Sequence, residues 1–179
     1  DKYELANAST HLYNFVYDDL CSWYIELTKV TLNGDDEDAK EKTRQVLAHI
    51  LEGIVMMIYP YCPFISEEIY LNIPGHKDSI MLNSYTEFDD NMSDKNASDN
   101  VDKLINMIKD VRTYKVDNSL APNTQFVLHL LDKDKSFRIF VPYLAKFTFS
   151  KDIILENSED ALKDMPIYIY GDIEMGLES

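Results

Sequence analysis

Glycine is scarce in this chain, with five in 179 residues, and they form no glycine-rich phosphate loop and no GxSxG elbow. Cysteine is scarcer still. Cys21 and Cys62 lack CxxC spacing and lie in apolar neighbourhoods, where a buried thiol is expected rather than a disulfide or a ligand. The four histidines, His11, His49, His76 and His129, share no metal-ligand spacing, and the Glu-x-x-His pair of di-iron helix bundles does not occur. Asp18 with Asp19 and Glu67 with Glu68 are adjacent residues that diverge on a helix, so they read as surface or helix-start charges rather than an acid/base couple. No apolar run approaches the roughly 20 residues of a membrane span, and no basic, apolar leader opens the sequence. A cytoplasmic, soluble protein is expected.

Positive charge is the remaining deficit: 17 basic against 32 acidic residues leave a net charge of −15. Such a surface repels polyanions at long range, which by itself counts against nucleic acid. The acids concentrate in DDED at 35–38, in FDDNMSDKNASDN at 88–100 and in the last thirty residues. The bases form two groups, one of Lys40, Lys42 and Arg44, the other of Lys103, Lys109, Arg112 and Lys115.

What is present is a large apolar content, 45% of residues, enough for a real core. Leu5, Ala8, Leu12, Phe15, Val16, Leu20, Trp23, Leu27 and Val30 recur at steps of three and four, predicting one long helix from about residue 3 to Leu32, stopped by Asn33 and Gly34, which tolerate left-handed backbone. Asp35 or Asp36 would cap a second helix whose stripe (Val46, Leu47, Ile50, Leu51, Ile54, Val55, Ile58) runs to Pro60 and is wide enough for two neighbours. Pro63 opens a third, shorter helix that ends before Pro74 and Gly75. A polar connection follows, with extended character only in SIMLNSY at 79–85. A fourth helix is expected from about Ser98, with Val101, Leu104, Ile105, Ile108 and Val111 inside. Beyond Pro122 the segments at 126–131, 152–156 and 167–173 are strand-like, and SFRIFVPYLAKF is mixed. The expected fold class is mainly α: a helical bundle over residues 1–117 followed by a small α/β appendage over 118–179.

Three stretches in order, YNFVYDDLCSWYIELTKV, LAHILEGIVMMIYPYCPFISEEIY and IKDVRTYKVDNSLAP, resemble the anticodon-binding region of valyl-tRNA synthetases, a class I family. The likeness runs from about residue 3 to residue 122 and is loose afterwards. PFISEEIY resembles a mark shared with the isoleucine, leucine and methionine enzymes, whereas Phe15, Asp18, Cys21, Trp23 and Tyr24 look specific to the valine enzyme. The family's ATP-site signatures, HIGH and KMSKS, are absent from these residues. The resemblance therefore implies a tRNA-binding module that cannot itself activate valine and uses no cofactor. A catalytic core that uses ATP and an editing domain are expected before Asp1, and a coiled-coil arm after Ser179.

Unpaired bases are what proteins read in RNA, by stacking and by hydrogen bonds to base edges, and an anticodon loop offers them. The resemblance places the anticodon of tRNA(Val) at the end of the first helix, hence at Lys29, Leu32 and Asn33, with Arg112 and Lys115 as contacts to the RNA backbone. It also puts part of the site on a helix upstream. Trp23 and Cys21 are read as core residues, and a monomer is expected. Two other readings stay open. One is the equivalent domain of the isoleucine or leucine enzyme, against which Trp23 and Tyr24 weigh; the other, favoured by composition, is an acidic helical module that binds protein.

Overall fold

A computed structural model describes residues 4–87 and 89–178, which fall into two compact units, Asp1–Asp90 and Asn91–Ser179. The expected fold class holds: helices account for the chain up to residue 117, and a small four-stranded sheet follows. The division at residue 90 lies upstream of the boundary expected after residue 117, because the last long helix packs on the elements that follow it.

The first unit opens on one continuous helical rod made of α1 (Leu5–Asn14), a π-helical segment (Phe15–Tyr24) and α2 (Ile25–Leu32). Both junctions keep right-handed helical backbone. Its predicted start at residue 3 lies outside the described residues. In the π segment each turn closes from i to i+5, and the Ser22 hydroxyl follows the same spacing by donating to Tyr17 O at 2.8 Å. The wider turn changes which side chains share a face, so the three-four stripe read from the sequence does not stay buried. Leu20 and Leu27 are buried, Leu12, Val16, Trp23 and Val30 are half-buried, and Leu5, Ala8 and Phe15 are exposed. Cys21 is exposed too, and so is Cys62 in the turn before Pro63, which corrects the expectation of two buried thiols.

Helix α3 (Glu37–Ile58) starts where Asp36 Oδ1 accepts the Ala39 N–H at 3.0 Å. Of its wide expected stripe only Ile54 and Val55 are fully buried, joined by Met56, while Val46 and Leu51 stay largely exposed. At the last turns of α3, under α4 (Pro63–Asn72) and a 3-10 turn (Ile80–Leu82), Val55, Met56, Tyr70 and Ile80 form a core with Tyr59 against it; one to two turns earlier Ala48 and Leu51 only line an open groove with Glu68, Ile69 and Asn72 of α4. The 3-10 turn replaces the extended segment expected at 79–85. Glu67 holds it in place, its Oε2 accepting the Ile80 N–H at 3.0 Å and the Ser79 hydroxyl at 3.2 Å. That carboxylate thus caps a distant turn rather than its own helix start.

The second unit begins with α5 (Lys95–Asp117), capped by Asp94, which accepts the Ala97 N–H at 3.0 Å. Leu104, Met107, Ile108 and Val111 are buried on α6 (Val141–Thr148) and the sheet. The sheet runs β2 (Asp152–Glu156), β1 (Val127–Asp132), β4 (Ile173–Glu178), β3 (Ile167–Tyr170). β1 and β2 are parallel, which requires a crossover, and α6 supplies it. The expected strand at 167–173 is instead a hairpin: β3 reverses into β4 at Gly171, whose φ of +67° is open to a residue without a Cβ. In the β1–β4 register Leu128 faces Leu177 and Leu130 faces Met175, so alternate residues line one buried face. Tyr170 Oη donates to Asp110 Oδ2 at 2.5 Å, and Lys103 Nζ donates to Asp172 Oδ1 at 2.5 Å, tying α5 to the hairpin. Burial first, then the bond to Asp110, raises the Tyr170 phenol far above its ordinary range. The hydrogen bond from Lys103 holds the Asp172 carboxyl below its usual value.

On the opposite face His129 sits between two carboxylates, with Nδ1 2.7 Å from Glu156 Oε1 and Nε2 3.1 Å from Glu178 Oε2. Burial favours the neutral ring, but the bonds and charges of Glu156 and Glu178 together outweigh it and raise the pKa above 6.5. A raised folded-state pKa means stability that is complete below the unfolded value and lost as pH rises through the folded one. Urea unfolding at pH 5.5 and pH 9 should therefore show His129→Gln costing more at the lower pH. An equal cost at both would mean that the ring is not charged in the folded chain.

Candidate nucleic-acid interface

The end of α2 gathers three of the residues singled out by the sequence. Lys29 stands in the last turn, Leu32 is half-buried at the final helical position and Asn33 is the exposed cap residue. The Asn33 N–H donates to Lys29 O at 3.1 Å and the Gly34 N–H donates to Thr31 O at 3.0 Å. No left-handed residue is used, contrary to expectation; at Gly34 a Cβ would make a tight 3.2 Å approach to Thr31 O. Lys29 Nζ meets Glu26 Oε1 at 2.5 Å, with both side chains about half exposed, 51% and 44%. A pair so exposed is worth at most about 0.5 kcal/mol and is readily exchanged for another acceptor. A cation here also complements the negative end of the helix dipole.

The electrostatics of this end are mixed. Asp35, Asp36, Glu37 and Asp38 follow within nine residues of Lys29. Glu37 is held in its charged form by Lys40, which donates to it at 2.6 Å and lowers its pKa. A row of carboxylates discourages phosphate but leaves hydrogen bonding to neutral base edges unaffected. Asn33 offers two donors and an acceptor for such an edge, and Leu32 an apolar surface beside it.

The other two predicted contacts belong to the second unit. Arg112 is exposed on α5. Lys115, one turn later, is only 3% exposed, and its Nζ donates to Pro122 O at 2.9 Å and Thr148 O at 2.8 Å. The same ammonium lies 5.5 Å from the ring centroids of Phe126 and Phe149. Burial, with a smaller contribution from the Arg112 charge, lowers its pKa. Lys115 is therefore an internal cation that joins the end of α5 to the chain after it, not a surface group facing RNA phosphate. One sequence signal pointed that way: Leu104, Ile108, Val111 and Lys115 share one helical face. Among the described residues no group of three His, Cys, Asp or Glu is arranged to hold a metal ion, and no helix is long and apolar enough to cross a membrane.

Residues 1–131 match the sequence model of the anticodon-binding domain of tRNA ligase. The valine–tRNA ligase of Geobacillus stearothermophilus is 33% identical over 165 residues, covering 90% of this chain and 19% of the relative. That of Listeria innocua is 36% identical over 138 residues, covering 77% of this chain and 16% of the relative. The Staphylococcus aureus enzyme is 32% identical across 99% of this chain and 21% of its own length. The chain thus spans about a fifth of the length of the curated relatives it matches.

Proposed function

Because the chain belongs to the family of anticodon-binding domains of tRNA ligases, we propose that it is the tRNA-reading part of a valine–tRNA ligase. In this reading it binds the anticodon stem-loop of tRNA(Val) and positions the tRNA for a catalytic domain outside these residues. Activation of valine with ATP belongs to that domain, and the present residues perform no aminoacylation of their own. The observation that carries the proposal is the family match over residues 1–131 together with valine-enzyme relatives aligned along most of the chain. Lys29 and Asn33 at the exposed end of α2 are the groups that read base edges, and Leu32 packs beside them.

Electrophoretic mobility shifts with a tRNA(Val) transcript and an anticodon-scrambled control test this. The net charge of −15 opposes RNA, so the expected affinity is weak, on the order of 10⁻⁴ to 10⁻⁶ M and falling with salt. Lys29→Ala should shrink the ratio between the two affinities, because a group at the bases sets discrimination rather than general attraction. A ratio that survives Lys29→Ala would remove the anticodon from the end of α2. The acidic composition favours one competing reading, a protein-interaction module, and such a module would shift neither RNA.

A further inference from the structure

The ends of α5 and α6 enclose a cavity of about 390 Å³ lined by Arg112, Lys115, Val116, Leu120, Pro122, Phe147 and Phe149. Among the described residues no carboxylate lines it, which sets it apart in a chain with nearly twice as many acids as bases. The cavity at the carboxyl ends of β1 and β2, for comparison, is lined by Asp132, Glu156, Glu159 and Asp160 as well as by cations. Around the α5–α6 cavity the wall is apolar, with Arg112 exposed beside the ammonium of Lys115.

Phe149 is the second observation. It terminates α6 with φ +56° and ψ +36°, the left-handed conformation that helix ends normally give to glycine or asparagine. A Cβ is unfavourable there, and the ring recovers little by burial, since Phe149 remains 53% exposed. A strained backbone that holds a large aromatic ring half in solvent, at the mouth of an apolar cavity with a cationic rim, has the form of a stacking platform. The Lys115 ammonium near the ring leaves the site positively charged without using exposed surface for it.

We propose that this cavity takes an unpaired nucleotide of the bound RNA, its base stacked on Phe149 against Phe147 and Val116, and its phosphate at Arg112. The proposal rests on the tRNA-binding reading above but concerns a separate contact, in the second unit, that does not read the anticodon. Stacking on an aromatic ring accepts any base, so this contact adds affinity without sequence preference.

Fluorescence anisotropy with labelled tRNA(Val) transcript, using the full 179-residue chain, gives the test. Phe149→Gly relieves the backbone and should hold or raise the urea midpoint while weakening binding roughly tenfold. Phe149→Tyr should restore binding. The loss should be equal for matched and scrambled anticodons, unlike that of Lys29→Ala. Should Phe149→Gly fold poorly, Val116→Glu places a carboxylate at the rim of the cavity from an exposed helix position and should weaken binding similarly. If the parent chain binds and discriminates the transcripts but neither variant changes its affinity, the cavity is not a nucleotide site and only this inference falls. If the parent chain binds no RNA, both readings fall together.

Discussion

Leu104→Ala is expected to lower the unfolding free energy of the chain by about 2–5 kcal/mol, the range for truncating a fully buried leucine. Leu104 is 1% exposed and lies on the face of α5 that carries Met107, Ile108 and Val111, all without solvent contact. Deleting its isobutyl group removes apolar area from the core and leaves a void that neighbours so closely packed cannot collapse to fill. Ile50 on α3 is the internal control. It belongs to an equally regular stripe but is only half-buried, and its replacement by alanine should cost about 1 kcal/mol. Urea unfolding followed by far-UV circular dichroism reads both. Equal costs would mean that the difference in burial between the two helices is not real in solution.

Lys115 offers the second large effect, and it separates two roles that the sequence could not. As an internal cation it satisfies Pro122 O and Thr148 O, so Lys115→Met, which keeps the length of the side chain, should cost about 1–3 kcal/mol by leaving those carbonyls unpaired. Lys115→Ala should cost about 2–5 kcal/mol, since it also empties the space between Phe126 and Phe149. A surface lysine that served only to touch RNA phosphate would change stability by less than about 0.5 kcal/mol on replacement. Thermal or urea denaturation of the two variants decides between the roles, and a cost within that margin for both would return Lys115 to the surface.

The ends of the helices were legible from a few neighbouring residues. Asp36 caps α3, Pro63 occupies the first turn of α4, α4 stops before Pro74, and the segment 152–156 is a strand as read. Asp94, four residues before the predicted start at Ser98, caps α5 by the same kind of local bond. The candidate site was less legible. Lys29, Leu32 and Asn33 do cluster, because they are within one turn of each other at a helix end, where sequence proximity guarantees spatial proximity. Arg112 and Lys115 are also one turn apart, yet one is exposed and the other buried.

By itself, then, the sequence determined several helix caps and stops, the strand at 152–156 and which family's motifs the chain carries, since caps, prolines and motif spacing act over a few residues. Tertiary structure decided what those elements meet. Val46 and Leu51 stayed exposed on a helix whose pattern read as buried, Leu51 lining an open groove beside α4 rather than a closed core. The packing of α5 on α6 and β3 carried the last long helix into the unit of the sheet. Carbonyls at Pro122 and Thr148, 7 and 33 residues away, turned a lysine on the inner face of α5 into part of the core. Burial and pairing depend on groups remote in the chain: the helical face shared with Leu104, Ile108 and Val111 turned Lys115 inward, but no local pattern encodes the Pro122 and Thr148 carbonyls that it meets.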